Sequence, residues 1–211
     1  MKELRSIILA AGKGTRMKSD MPKVLHPVCG RPMLAYVIEA VRSVGSLISY
    51  VVVGHEAEKV KKFLGPDVKP VIQKELLGTG DAVRCAEDEL KDFKGDVLVL
   101  CGDTPLLRAE TLKALIKKHR QTGASCTVLT AVVGDPSGYG RMIRAADGRA
   151  VAIREDKDLL KSERSIREIN VGVYCFKNES LLKTLPFIEM NPKKKEFYLT
   201  DVIEIMGKTL E

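Results

Sequence analysis

Six short apolar stretches punctuate the chain, at 6–11, 48–54, 68–73, 97–101, 126–133 and 171–176. Each is rich in β-branched residues and none alternates cleanly with polar positions. That pattern belongs to strands covered on both faces. Between them, apolar residues fall at helical spacing. Segment 33–44 carries Leu34, Val37, Ile38 and Val41 along one stripe, with Gly45 as its stop. Segments 57–64, 80–90 and 109–119 read the same way. Such alternation calls for right-handed crossovers. It predicts an α/β fold: a Rossmann-like, mostly parallel sheet with helices on both faces. Ligands of such sheets sit beyond the C-terminal strand ends. Gly12, Gln73 and Asp103 each stand at or just past such an end. From residue 134 the rhythm changes. Short β segments at 141–145, 150–155 and 166–176 predict a small β-rich lobe on the same sheet, and 198–210 predicts a closing helix with Thr200 and Asp201 near its start. No long linker and no internal repeat interrupts the chain.

The first strand delivers the most informative chemistry. Ile7-Ile8-Leu9-Ala10-Ala11 runs into Gly12-Lys13-Gly14-Thr15-Arg16-Met17, and Pro22-Lys23 follows. Glycines at 12 and 14 bring backbone amides close to a ligand. Arg16 can grip phosphate oxygens with two parallel hydrogen bonds. Together Lys13, Arg16 and Lys23 suit a polyphosphate better than a single phosphate. The loop is not a Walker A motif, because the spacing to a Gly-Lys-Ser/Thr is wrong. Nor is it the dinucleotide fingerprint, because Met17 stands where a glycine or alanine belongs. Taken alone, a glycine pair is also what an ordinary strand-to-loop turn shows.

Composition narrows the partners. The 211 residues, 45% hydrophobic, suffice for one sizeable core. No window approaches the roughly 20 apolar residues of a membrane span, and the N-terminus does not read as a secretory signal. Five scattered cysteines without metal-ligand spacing read as reduced thiols, so a cytoplasmic, non-membrane protein is expected. The +7 formal charge fits anionic ligands. Aromatics are only 5%, which supplies few stacking platforms for single strands, so nucleic acid is not the expected partner. Lys193-Lys194-Lys195 reads as a solvated loop. The three histidines form no triad or metal pattern, and no cysteine has a neighbouring base.

Later segments carry two readings each. Asp103, in Leu100-Cys101-Gly102-Asp103-Thr104-Pro105, puts a carboxylate at a strand end. It suits a magnesium ion, which takes one or two carboxylates beside phosphates and water. It equally suits a turn or a cap for the next helix. Gln73 precedes Leu77-Gly78-Thr79-Gly80-Asp81. Its amide offers both a donor and an acceptor to uracil, and Gly78 would let a base lie close. The plainer reading is a polar loop into a helix capped by Thr79 or Asp81. Gly140, Glu155 and Asn170 alone read as a hairpin turn, a surface charge and a turn-forming amide.

The string L-x-x-G-x-G-T-R-M followed by P-K resembles the signature of sugar-1-phosphate nucleotidyltransferases. The continuation Pro22-Lys23-Val24-Leu25-His26-Pro27-Val28-Cys29-Gly30-Arg31-Pro32-Met33 is similar to one branch of them. That branch is the N-terminal pyrophosphorylase domains of bifunctional bacterial N-acetylglucosamine-1-phosphate uridylyltransferases. The resemblance runs in patches from residue 5 to about residue 205. It implies uridylyl transfer from UTP to N-acetylglucosamine-1-phosphate with magnesium, for cell-wall precursor synthesis. It implies a nucleotide-binding part at 1–133 and a sugar-binding lobe with the closing helix at 134–211. Leu9, Ala10, Ala11, Gly12 and Gly14 would meet the nucleotide, with Cys101 and Gly102 as backbone neighbours. Arg16 and Lys23 would act on the phosphates, Asp103 would hold magnesium, and Gln73, Gly78 and Thr79 would surround uracil. Gly140, Glu155 and Asn170 would hold the amino sugar. Two departures stand out: Gly80-Asp81 where similar enzymes read Ala-His, and Cys101 where many carry an aromatic. Family members supply a second metal ligand and a hexapeptide-repeat acetyltransferase domain from segments that follow the pyrophosphorylase core. Neither is expected within residues 1–211, and oligomeric state is not readable from the pattern. The rival readings are a nucleotidyltransferase for another base or sugar, and a non-catalytic nucleotide-sugar-binding module.

Overall fold

The computed structural model describes residues 2–209, except for the side chains of Arg16 and Thr209. In chain order the strands are β1 (Leu4–Leu9), β2 (Pro27–Val28), β3 (Arg31–Pro32), β4 (Ile48–Val53), β5 (Val68–Ile72) and β6 (Asp96–Cys101). They continue with β7 (Cys126–Val132), β8 (Arg141–Arg144), β9 (Ala150–Arg154), β10 (Glu168–Lys177), β11 (Met190–Asn191) and β12 (Glu196–Phe197). The helices are α1 (Met33–Ser43), α2 (Ala57–Phe63), α3 (Thr79–Arg84), α4 (Glu87–Leu90), α5 (Ala109–Thr122), α6 (Asn178–Thr184) and α7 (Val202–Thr209).

Among the described residues, eight strands form one sheet in the order β5-β4-β1-β6-β10-β8-β9, with β7 also paired to β10. Strands β5, β4, β1 and β6 run parallel, as the alternation predicts. From β10 onward the pairing is antiparallel. The lobe after residue 134 is thus an extension of the first sheet, with β10 seated directly against β6. Pro70 and the exposed Lys69 lie on the edge strand β5, where proline is tolerated and open pairing is blunted.

Alternation within the strands explains their unbroken apolar character. Ile7, Tyr50, Val52, Val97, Val99, Tyr174 and Phe176 point to one face, where Val83 of α3, Leu90 of α4, Leu181 of α6 and Val202 of α7 cover them. Ile8, Val51, Val53, Leu98, Leu100 and Val173 point to the other, covered by α1, α5 and Val60 of α2. Both layers exclude water, so every strand position has an apolar reason.

Two elements depart from the sequence expectation. The helix predicted at 80–90 is two, because the chain breaks at Cys85 and the fully buried Ala86, whose N–H bonds Val83 in a tighter turn. The closing helix is preceded by a 3₁₀ turn at Leu199–Asp201. Thr200 does not cap that helix; its hydroxyl donates to Glu155 Oε1 at 3.1 Å.

Candidate active site

The parallel strand ends converge because register forces them to. Ala10 N–H donates to Val52 C=O, Gly102 N–H to Leu9 C=O, Gln73 N–H to Val53 C=O and His55 N–H to Ala11 C=O. The loops after β1, β5 and β6 therefore start at one level. They open into a cavity of about 740 Å³, within the usual range for a ligand site.

The glycine loop forms its lower wall. Gly14 has φ +59°, and a Cβ there would lie 2.6 Å from the Lys23 Cβ. Glycine is thus required both by the left-handed backbone and by the closeness of Lys23. Pro22 sets the turn that places Lys23, with Leu25 N–H bonded to Pro22 C=O. From there the Lys23 ammonium pairs with Asp103 Oδ2, both side chains about a third exposed. Asp103 caps nothing. Helix α5 begins after Arg108 with no side-chain cap, and Thr104 Oγ1 ties the turn by donating to Cys101 C=O at 2.8 Å. The carboxylate is thereby left for the cavity.

Groups of both charges line the cavity. Lys13 and Lys23 are on its wall, and so are Glu155, Glu196 and Tyr198. Burial pushes the Glu155 carboxyl above its ordinary range, against the hydrogen bond from Thr200. Burial and then Glu196 push the Tyr198 hydroxyl up to about 12. Burial, then Asp103, push the Cys101 thiol up to about 12, so it stays protonated and offers no thiolate nucleophile.

Of the residues singled out in the sequence, Leu9, Ala10, Ala11, Gly12, Gly14, Lys23, Gln73, Gly78, Thr79, Cys101, Asp103 and Glu155 line this cavity. Gly102, Gly140 and Asn170 do not. Gly102 is buried behind it, its N–H held by β1. Gly140 C=O accepts from Asn170 N–H at 2.8 Å. The Asn170 amide is spent on its own strand: Nδ2 donates to Tyr174 Oη at 2.7 Å and Oδ1 accepts from Gly172 N–H at 2.9 Å. In this state it stabilises the irregularity of β10 rather than facing a ligand. The backbone of Arg16 belongs to the 3₁₀ turn Thr15–Met17; its side chain lies outside the described residues.

Three expectations for the base-side loop change. Gly78 has φ +99°, and its missing Cβ clears room for the protein, since Phe197 O would be 2.6 Å away. Thr79 Oγ1 accepts from Leu199 N–H at 3.0 Å, and so ties α3 to the C-terminal segment. Gln73 does not present both faces of its amide: Nε2 donates to Gly78 C=O at 3.1 Å and to Asp81 Oδ2 at 2.7 Å. Sequence reasoning missed Glu196 and Tyr198, which the β11–β12 hairpin carries into the wall. They lie more than a hundred residues from the glycine loop, and no local pattern marks them.

Residues 6–168 match the family model described as "MobA-like NTP transferase domain". The chain belongs to that family: it is a nucleotidyltransferase domain. It is 49% identical over 201 residues to "Bifunctional protein GlmU" of Geobacillus thermodenitrificans, covering 95% of this chain and 44% of that one. It is 52% identical over 204 residues to the protein of the same name from Alkaliphilus metalliredigens, covering 97% and 44%. The chain thus spans less than half the length of these relatives. Among solved structures it is similar to UDP-glucose pyrophosphorylase complexed with UDP-glucose. The TM-score is 0.80 at 17% identity, covering 99% of this chain and 88% of that one, which shows the shared fold.

Proposed function

We propose that this chain transfers a uridylyl group from UTP to N-acetylglucosamine-1-phosphate, giving UDP-N-acetylglucosamine and pyrophosphate. The observation that carries the reading is one cavity lined together by the glycine loop, the Lys23–Asp103 pair, Gln73 and the carboxylates Glu155 and Glu196. The glycine loop and Lys23 suit a triphosphate, and the two glutamates suit sugar hydroxyls. About half identity to proteins named GlmU supports the choice of substrates.

The residues fit a magnesium ion of one kind. Among the described residues no group of three or more His, Cys, Asp or Glu could cage a metal. Asp103 offers one hard-oxygen carboxylate beside Lys23 on a wall that Glu155 and Glu196 also line. One carboxylate suits an ion that fills its remaining positions with phosphate oxygens and water. When bound there, magnesium would offset the charge that develops on the phosphates.

The chain's own groups do the rest by positioning. Amides of Gly12 and Gly14 face the β- and γ-phosphates, and Arg16 steadies the departing pyrophosphate. Lys23 shifts from Asp103 toward the nucleotide's phosphates as these arrive. The sugar phosphate oxygen then attacks the α-phosphorus in line, with no protein nucleophile. Orientation and charge neutralisation supply the rate.

The test is pyrophosphate release from UTP and N-acetylglucosamine-1-phosphate in magnesium buffer. The expected result is release that requires all three, with Asp103→Asn slower by about 10² or more. If no pyrophosphate forms while UDP-N-acetylglucosamine still raises the melting temperature, the chain binds without transferring and the reading fails.

A further inference from the structure

Gln73 is 4% exposed and yet lines the cavity. Its backbone is fixed by the bond from its N–H to Val53 C=O. Both hydrogens of its side-chain nitrogen are consumed, one by Gly78 C=O at 3.1 Å and one by Asp81 Oδ2 at 2.7 Å. A primary amide has only two such hydrogens. The acceptors are held as firmly: Gly78 C=O also accepts from Ala82 N–H, and Gly78 is pressed by Phe197. No described residue donates to Gln73 Oε1, and that atom is not among the enclosed unpartnered ones. The amide is planar, so with its nitrogen bound toward α3, the oxygen is left for the cavity. Two acceptors decide this. Neither the Gly78 carbonyl nor the Asp81 carboxylate can face Oε1, so the flipped amide is excluded, and Asp81 supplies the shorter, charged half of the hold.

We infer that Asp81 is a positioning residue for base selection: by holding the Gln73 amide in one orientation it makes the site an acceptor for a ring N–H, and so admits uracil and rejects cytosine. Uracil carries a hydrogen on ring atom N3; cytosine carries a lone pair there. An acceptor facing a lone pair is left unpaired in a dry site, which is where such sites discriminate most. Asp81 does not line the cavity itself. The inference rests on the proposed uridine nucleotide site and deepens it.

The test compares UTP with CTP on the wild-type chain, Asp81→Asn and Asp81→Ala. It reads kcat and KM for both nucleotides, and equilibrium binding of each by calorimetry. Asn can donate to Gln73 Oε1, so only the neutral Gly78 C=O still holds the observed orientation and the turned amide becomes populated. The expected result is a fall in UTP-over-CTP preference of about tenfold or more in Asp81→Asn, carried by KM with kcat for UTP little changed. A loss shared equally by both nucleotides, leaving the ratio as in the wild type, marks a merely structural residue and overturns the inference. Asp81→Ala, which removes the carboxylate without offering a donor, repeats the comparison should the Asn variant melt below the assay temperature. Wild-type chain that prefers UTP while both variants keep its ratio sinks the Asp81 role and leaves uridylyl transfer standing. Wild-type chain that binds neither nucleotide sinks both.

Discussion

At the scale of single residues, the carboxylates of the cavity carry different burdens. Asp103 is the proposed ligand donor, and its loss is predicted to show in turnover. Asp201, beside Glu155, is predicted to show in stability. Its burial, then Glu155, push its carboxyl up to about 6, against about 3.9 in an unfolded chain. The folded chain therefore holds this proton more tightly. The contribution is complete below about pH 4 and lost as pH rises through about 6. Asp201→Asn should match the parent's melting temperature near pH 4.5 and exceed it at pH 7.5. Thermal melts at the two values check this, and an equal offset at both would refute it. Residue types were readable from sequence where the local backbone conformation calls for them, as at Gly14 with its left-handed φ. They were not readable where a partner distant in sequence decides. Thr79 is taken by Leu199 in this way, whereas Asn170 is spent within its own strand, on Tyr174 and Gly172. The spent face of Gln73 shows the same limit at short range, since only the fold aims Asp81 at the amide.

At the scale of elements, the strands were legible because burial on both faces leaves a continuous apolar run. Their ends moved by a residue or two, and β10 starts at Glu168, between the starts at 166 and 171 that the pattern offered. The break after Arg84 was hidden, since Cys85-Ala86 carries no glycine or proline to announce it. The β11–β12 hairpin was also hidden, its strands being two residues each. Its importance lies in where it rests. Phe197 N–H donates to Leu77 C=O at 2.7 Å, and the Arg84 guanidinium stacks on the Phe197 ring at 4.4 Å. Gly78→Ala is predicted to destabilise by about 1–3 kcal/mol from backbone strain alone, with the clash against Phe197 O added. Chemical denaturation would measure it. A variant as stable as the parent would mean that the hairpin does not press on this loop.

At the scale of the molecule, one sheet joins the parallel and antiparallel halves. Tyr174 and Phe176 of β10 share a core layer with Val97 and Val99 of β6. We therefore predict a single cooperative melting transition, with far- and near-ultraviolet circular dichroism coinciding. Two separated transitions would show that the region after residue 134 folds on its own. The strands after residue 134 pair antiparallel, as does β7 just before it, so the change of topology does not fall at residue 134 itself. Nor was that position a boundary between independent bodies.

The seal that Phe197 and Leu199 place on the base-side loop has a consequence for biosynthesis. At about 5–20 residues per second, the ribosome makes the glycine loop roughly ten to forty seconds before those two residues. Until they arrive, Leu77 and Thr79 lack their mates, and the outer edge of β6 waits for β10. The nascent polypeptide thus presents an open flank while the intervening segments are translated. The catalytic chamber closes only once that late stretch of backbone has been added.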